Sequence, residues 1–228
     1  MSFADRREAG WRLAERLRYL RDEDVVVLGL PRGGVPVAFE AARALDAPLD
    51  VIVVRKLGIA AHPELGMGAI GEGDVRVIND EVMWRTGVRS GELAEIERRE
   101  RRELDRWARL CRGNRARIDL SGRTAVIVDD GIASGATAAV ACRVARAQGA
   151  ARVVLAVPAA PPGALERLRE SVDELVCLEA PEDFREIGER YADFTPVPDA
   201  EVVELLDLVA QAHPAARRVE TGENGCDA

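Results

Sequence analysis

Lysine is almost missing from this chain: its 32 basic residues include one lysine, Lys56, and the remainder are arginine. Histidine is nearly as scarce, at His62 and His213 only. The four cysteines, Cys111, Cys142, Cys177 and Cys226, lie far apart without a CxxC pair. That spacing supports neither a zinc site nor a disulfide framework and places the chain in the reducing cytoplasm. No apolar run approaches the roughly 18 residues of a membrane span, and the N-terminal "MSFADRREAGWRLAERLRYL" is amphipathic instead of a charged stub before a hydrophobic block. Neither export nor membrane insertion is indicated. Aromatics make up 4% of the chain, and a net charge of -8 argues against a protein that coats nucleic acid by bulk electrostatics.

What is present suits one main domain. A length of 228 residues with 47% hydrophobic content can bury a substantial core. The domain is expected over residues 1 to 211. Residues 212 to 228, polar and rich in Ala and Gly, are expected to form a disordered tail. Apolar, β-branched runs recur at residues 24 to 30, 50 to 54, 124 to 128, 152 to 157 and 172 to 178. Between them lie helical patterns at 3 to 21, 34 to 45, 90 to 112, 134 to 148, 162 to 171 and 200 to 211. Near-continuous Val/Leu/Ile strands alternating with helices imply an α/β fold, a doubly wound parallel sheet covered on both faces. Residues 59 to 80, glycine-rich and without a strong period, read as a flexible loop or short β-ribbon over the crevice. The arginine-rich stretch from 95 to 117 pairs acids and bases one helical turn apart, as in Glu95/Arg99 and Asp105/Arg109, and reads first as a solvated helix.

In such sheets ligands sit beyond the carboxyl ends of the strands, so the residues just after each run are the informative ones. The first exit is "PRGG", with Arg32, Gly33 and Gly34. The second is "RKLG", with Arg55 and Lys56. The third is "DDGIASGAT", residues 129 to 137. Two adjacent carboxylates are poor occupants of a core, yet they suit a sugar: they accept hydrogen bonds from vicinal hydroxyls or hold the water shell of Mg²⁺. The small residues after them let the N–H groups of Ala133, Ser134, Gly135, Ala136 and Thr137 converge at a helix start, where a phosphate monoester binds. Ser134 and Thr137 add hydroxyl donors. There is no GK[ST] and no G-x-G-x-x-G in this block, so neither a Walker loop nor a dinucleotide fingerprint fits it.

The block "AVIVDDGIASGAT" resembles the phosphoribosyl-diphosphate (PRPP) signature of type I phosphoribosyltransferases. "GLPRGGVPVA" resembles that family's diphosphate loop, and "VVRKLG" stands at its next basic exit. Over about residues 24 to 211 the chain is most similar to stand-alone bacterial members whose acceptor is unassigned. The resemblance implies that Asp129 and Asp130 contact the ribose hydroxyls and Mg²⁺, and that Gly131 and Ala133 to Thr137 hold the 5-phosphate. Gly131 and Ala133 depart from the family pattern, which usually has a bulky apolar residue and a hydroxyl residue there. Arg32, Lys56, Arg55 and the amides of Gly33 and Gly34 suit a diphosphate leaving group on charge alone. The resemblance further implies that 59 to 80 closes over the substrate. In a chain poor in aromatics, Phe184, Tyr191 and Phe194 are candidates to stack a heterocyclic acceptor in a small hood. His62, Glu64 and Glu182 are candidate general bases.

The function expected is transfer of ribose 5-phosphate from PRPP to a nitrogen acceptor, a small molecule resembling a nucleobase, with Mg²⁺ as cofactor. A homodimer is compatible with the sequence. Two other readings remain: a PRPP sensor that contacts RNA or a protein through the arginine-rich helix, and a hydrolase of phosphorylated sugars.

Overall fold

Five of the strands are parallel and lie in the order β2-β1-β6-β7-β8. They are β1 (Val25–Gly29), β2 (Leu49–Val51), β6 (Thr124–Val128), β7 (Arg152–Ala159) and β8 (Glu174–Glu179). The computed structural model describes residues 2 to 213 except 60, 61, 74 and 79. Alternation along the strands sends side chains to two separate cores. Val25 and Val27 of β1 join α1 (Arg6–Leu17), α2 (Gly34–Leu45), α4 (Ser90–Arg112) and α7 (Asp199–Ala212) on one face. Val26 and Leu28 join α5 (Ala136–Ala147) and α6 (Pro162–Leu168) on the other. This two-sided burial is why the strands read as unbroken apolar runs, and the doubly wound parallel α/β sheet stands as expected. None of the described helices is long and apolar enough to cross a membrane.

The order of strands locates the crevice. From β1 the chain winds outward to β2, whereas β6, β7 and β8 wind outward the opposite way, so the reversal falls between the neighbours β1 and β6. The exits of those two strands, residues 30 to 33 and 129 to 135, therefore flank the topological switch point, where ligands bind in open α/β sheets.

The segment expected as a loop or ribbon is a second sheet. Strands β3 (Val54–Ile59), β4 (His62–Gly71) and β5 (Arg76–Ile78) form an antiparallel ribbon, with register shifts around Gly58. Its glycines have a packing role: a Cβ on Gly68 would lie 2.1 Å from the Val77 carbonyl oxygen, so the two strands could not approach. Arg55 and Lys56 are consequently strand residues on opposite faces. A short helix, α3 (Asp80–Thr86), follows; at seven residues, with Met83 packed on the core and Trp84 85% exposed, it is too short to show a helical period. The expected tail boundary at 212 meets the end of α7, and residues 214 to 228 lie outside the described ones.

A buried ionic knot ties the ribbon to the main sheet. Arg112, at the end of α4, donates from Nε to Asp50 Oδ1 at 2.7 Å and from Nη2 to the Val51 carbonyl at 2.7 Å. It also grips Glu72 at the β4–β5 turn, with Nη2 2.9 Å from Oε2. Asp50 accepts two further bonds, from the N–H groups of Val51 and Ile118. Asp50 and Arg112 are 4% and 8% exposed, so removing one charge strands the other away from water. Arg112→Met is expected to lower unfolding stability by about 3 to 5 kcal/mol in urea titrations. Adding Asp50→Asn should recover part of that loss, and additive losses in the double variant would refute the coupling.

Candidate active site

The loop after β6 carries the two carboxylates into different surroundings. Asp130 is 8% exposed and accepts a hydrogen bond at Oδ2 from Arg6 Nε at 2.8 Å. Arg6 is itself fixed by donation from Nη1 to the Thr195 carbonyl at 2.8 Å, and its guanidinium lies 4.0 Å from the Phe194 ring centroid. The buried Tyr191 hydroxyl donates to the Asp130 main-chain oxygen at 2.5 Å. Asp129 is half-buried, and its Oδ1 accepts the N–H of Asp130 at 2.9 Å. Burial, reinforced by the neighbouring Asp130 charge, holds the Asp129 carboxyl well above the usual carboxylate range. Asp130 is thus committed to an ion pair, and Asp129 is the less encumbered of the two.

The first exit packs directly on this pair. A Cβ at Gly33 would fall 1.9 Å from Asp130 Oδ2, and one at Gly34 would fall 2.6 Å from the Val128 carbonyl oxygen. Only bare backbone fits where the exits of β1 and β6 meet. A similar contact accounts for the glycine at 131, where a Cβ would lie 2.6 Å from Ile187 Cγ2. The hood's isoleucine fills the space that a larger residue at 131 would take.

From Ala133 the loop turns outward. Ala133 and Ser134 are exposed, Gly135 has φ 81°, and α5 starts at Ala136 with no side chain hydrogen-bonded as its cap. The Ala136 N–H reaches only Ser134 Oγ, at 3.4 Å. A helix start with its amides left open and its positive end outward suits an anion. Arg167 of α6 donates to the Ser134 carbonyl at 3.3 Å and brings a cation to the same loop.

Next to it is a cleft of about 250 Å³ whose lining includes Arg32, Arg55, Trp107 and Thr137 above an apolar floor of Leu30, Ile52 and Val53. Arg32 lies 2.9 Å from Asp199 Oδ1 and 4.9 Å from the Trp107 ring centroid. Arg55 donates from Nε and Nη2 to Glu100 Oε2 at 3.0 and 2.8 Å. Lys56 is exposed, on the face of β3 opposite Arg55, and does not line this cleft.

The hood is residues 180 to 198, including a 3-10 turn, Ile187–Arg190. Its aromatics pack together, Tyr191 fully and Phe184 and Phe194 in part. Tyr191 is 2% exposed, packed against Phe3 and stacked on Phe194, while Phe184 and Phe194 border the same small cluster. Their rings serve the packing of the N-terminal segment. Glu182 is exposed beyond β8; the side chains of His62 and Glu64 lie outside the described residues. Among the described residues no three His, Cys, Asp or Glu side chains come together as a metal cage. Asp130 faces Arg6, so Asp129 has the freer carboxylate for the water shell of a cation.

Arg6, Trp107, Glu100, Asp199 and Ile187 all touch this site without having been singled out from sequence. Trp107 had a signal, one of three tryptophans in a chain poor in aromatics, but it stands amid charged helix. Arg6 had none, since its partner is 124 residues away.

Comparison with known proteins gives the same architecture a family. Two Mycobacterium tuberculosis proteins, from different strains, carry a provisional phosphoribosyl transferase name and are 55% identical over 205 residues. The match covers 90% of this chain and 46% of each relative, so the chain spans about half their length. The crystal structure of the protein TT1426 from Thermus thermophilus is 44% identical with a TM-score of 0.81, covering 90% of this chain and 98% of that one. The model of the phosphoribosyl transferase domain matches residues 7 to 193, and the chain belongs to that family.

Proposed function

We propose that the chain transfers the ribose 5-phosphate group of PRPP to a nitrogen acceptor and releases diphosphate. The observation that carries this reading is the convergence, at the one switch point of the sheet, of an acid pair, an open helix start and an arginine-lined cleft. Each matches one part of PRPP. The α5 start, with Ser134 and Thr137, takes the 5-phosphate. Asp129 accepts from the ribose hydroxyls, while Asp130, fixed by Arg6, holds the loop to which both acids belong. Arg32, Arg55 and the amide of Gly33 take the diphosphate, the Gly34 N–H being already bonded to the Leu30 carbonyl at 3.0 Å, and Lys56 adds charge from the adjoining face of the ribbon.

In the transfer, the acceptor nitrogen attacks C1 of the ribose. The bond from C1 to the diphosphate oxygen breaks, and its electron pair leaves with the diphosphate. The acceptor's proton passes to solvent. The chain's share is positioning and stabilisation of the negative charge that grows on the leaving group. Were Mg²⁺ to join the ligand, Asp129, with Asp130 beside it, would be the residues to hold its water shell, and the ion would supply further countercharge to the diphosphate. Tyr191 is buried, whereas Phe184 and Phe194 keep part of their surface exposed and stay candidates to stack a heterocyclic acceptor; a pocket of about 230 Å³ lined by Arg6, Arg7, Asp193 and Glu201, among others, adds polar groups.

The arginine-rich α4 gives little support to an RNA-binding sensor. Arg99 and Arg106 pair with Glu100 and Glu103 on the same helix, and Arg101 pairs with Glu97. Much of its positive charge is thus balanced locally.

Asp129→Asn is expected to weaken Mg-PRPP binding at least tenfold by calorimetry while the circular dichroism spectrum stays native; wild-type affinity would remove Asp129 from the ribose site. In the wild type, diphosphate should be released from Mg-PRPP with at least one member of a panel of nucleobases and small amines. Tight PRPP binding with no turnover across the panel would favour a sensor.

A stability effect of opposite sign should accompany that loss of binding. The folded state raises the Asp129 pKa, so the proton's stabilising contribution is complete below the unfolded value, about 3.9, and is lost as pH rises through the folded value. Asparagine mimics the protonated form. Asp129→Asn should therefore raise the urea midpoint at pH 8, with the gain shrinking as pH is lowered; a gain independent of pH would mean that the carboxyl is not the cause.

A further inference from the structure

Two cations of the cleft already hold carboxylates, and the two pairs differ in kind. Glu100 is nearly buried, at 12% side-chain exposure, binds Arg55 through two donors and also accepts from Arg99. It fixes a wall. Asp199 meets Arg32 at Nε, with the two side chains 42% and 49% exposed. An ion pair this open is weak and readily exchanged. Trp107 lies against the Arg32 guanidinium, a contact at the cleft that does not depend on the carboxylate.

We propose that Asp199 is a built-in counter-anion for Arg32. It occupies the guanidinium in the free protein and is displaced when a diphosphate group binds, so it sets the affinity for diphosphate-bearing ligands without touching them. The inference rests on the reading of this cleft as the diphosphate site. A diphosphate brings about three negative charges and several oxygens to a forked donor, and so competes well with a single exposed carboxylate. A monophosphate competes poorly. Asp199 thereby makes the cleft selective for ligand charge, a task that the open amides of α5 do not perform for the 5-phosphate.

Asp199 is the first residue of α7, where asparagine preserves shape and polarity. The test titrates inorganic diphosphate and, separately, ribose 5-phosphate into the wild type, Asp199→Asn, Asp199→Glu and Asp199→Asn with Arg32→Met, at fixed ionic strength. Asp199→Asn should bind diphosphate about two- to fivefold more tightly, with ribose 5-phosphate unchanged. The gain should vanish in the Arg32→Met background and revert in Asp199→Glu. Unchanged or weaker diphosphate binding would overturn the proposal, because Asp199 would then orient Arg32 or only support α7. Equal tightening of both ligands would also overturn it, as a general effect of surface charge. If the wild type binds no diphosphate, the reading of the cleft falls and this inference with it; if it binds without the gain, only the inference falls.

Discussion

Adjacent carboxylates at the end of a buried strand repel one another and lose hydration, and the Arg6 ion pair makes that arrangement tolerable at Asp130. Arg6 can do this because both ends of the domain hold it. Phe3 forms a parallel bridge with Tyr191, the N–H groups of Ser2 and Phe3 donate to the Arg190 carbonyl, and that of Ala192 donates to the Phe3 carbonyl. The N-terminal segment is therefore a structural part of the hood. Tyr191 then reaches the Asp130 main chain, and Gly33 packs on the same Oδ2 of Asp130 that Arg6 holds. Removal of any one contact loosens the loop from which Asp129 and the α5 start both project.

The main sheet was legible because burial on both faces leaves the same mark on every strand, and β6 has the boundaries that its apolar run indicates. The neighbourhood of the site was legible because ligand position in such sheets follows from strand order. The ribbon was not. Its glycines signal a loop when read locally, whereas Gly68 is required by a strand 9 residues further on that no local pattern reveals. Tyr191 was legible as an uncommon residue but not as a packed one: the carbonyl it serves is 61 residues away. Composition can mark a residue as scarce, but it does not say which way the ring faces.

The abundance of arginine gains a structural meaning in α4. That helix buries Leu93, Leu104 and Cys111 and uses its acids to hold the ribbon, with Glu100 on Arg55 of β3 and Glu97 on Arg76 of β5. Its own arginines return charge to those acids. A planar guanidinium can serve two carboxylates or a carboxylate and a carbonyl at once, as Arg112 does, which an ammonium on a flexible stem does less well. The helix that looked like a solvated surface is thus the beam on which the second sheet rests.

The exception to that preference has a practical side. Lys56 is exposed, on the strand next to the residue that walls the cleft, and no other lysine occurs in the chain. For an acylating reagent the protein therefore presents one side-chain amine in its whole sequence, already placed beside the region of interest. Apart from the α-amino group, which can be blocked first near neutral pH because its pKa is lower, a fluorophore or cross-linker attached through amine chemistry would report from that single side chain, with no need to engineer a cysteine into a chain that already has four.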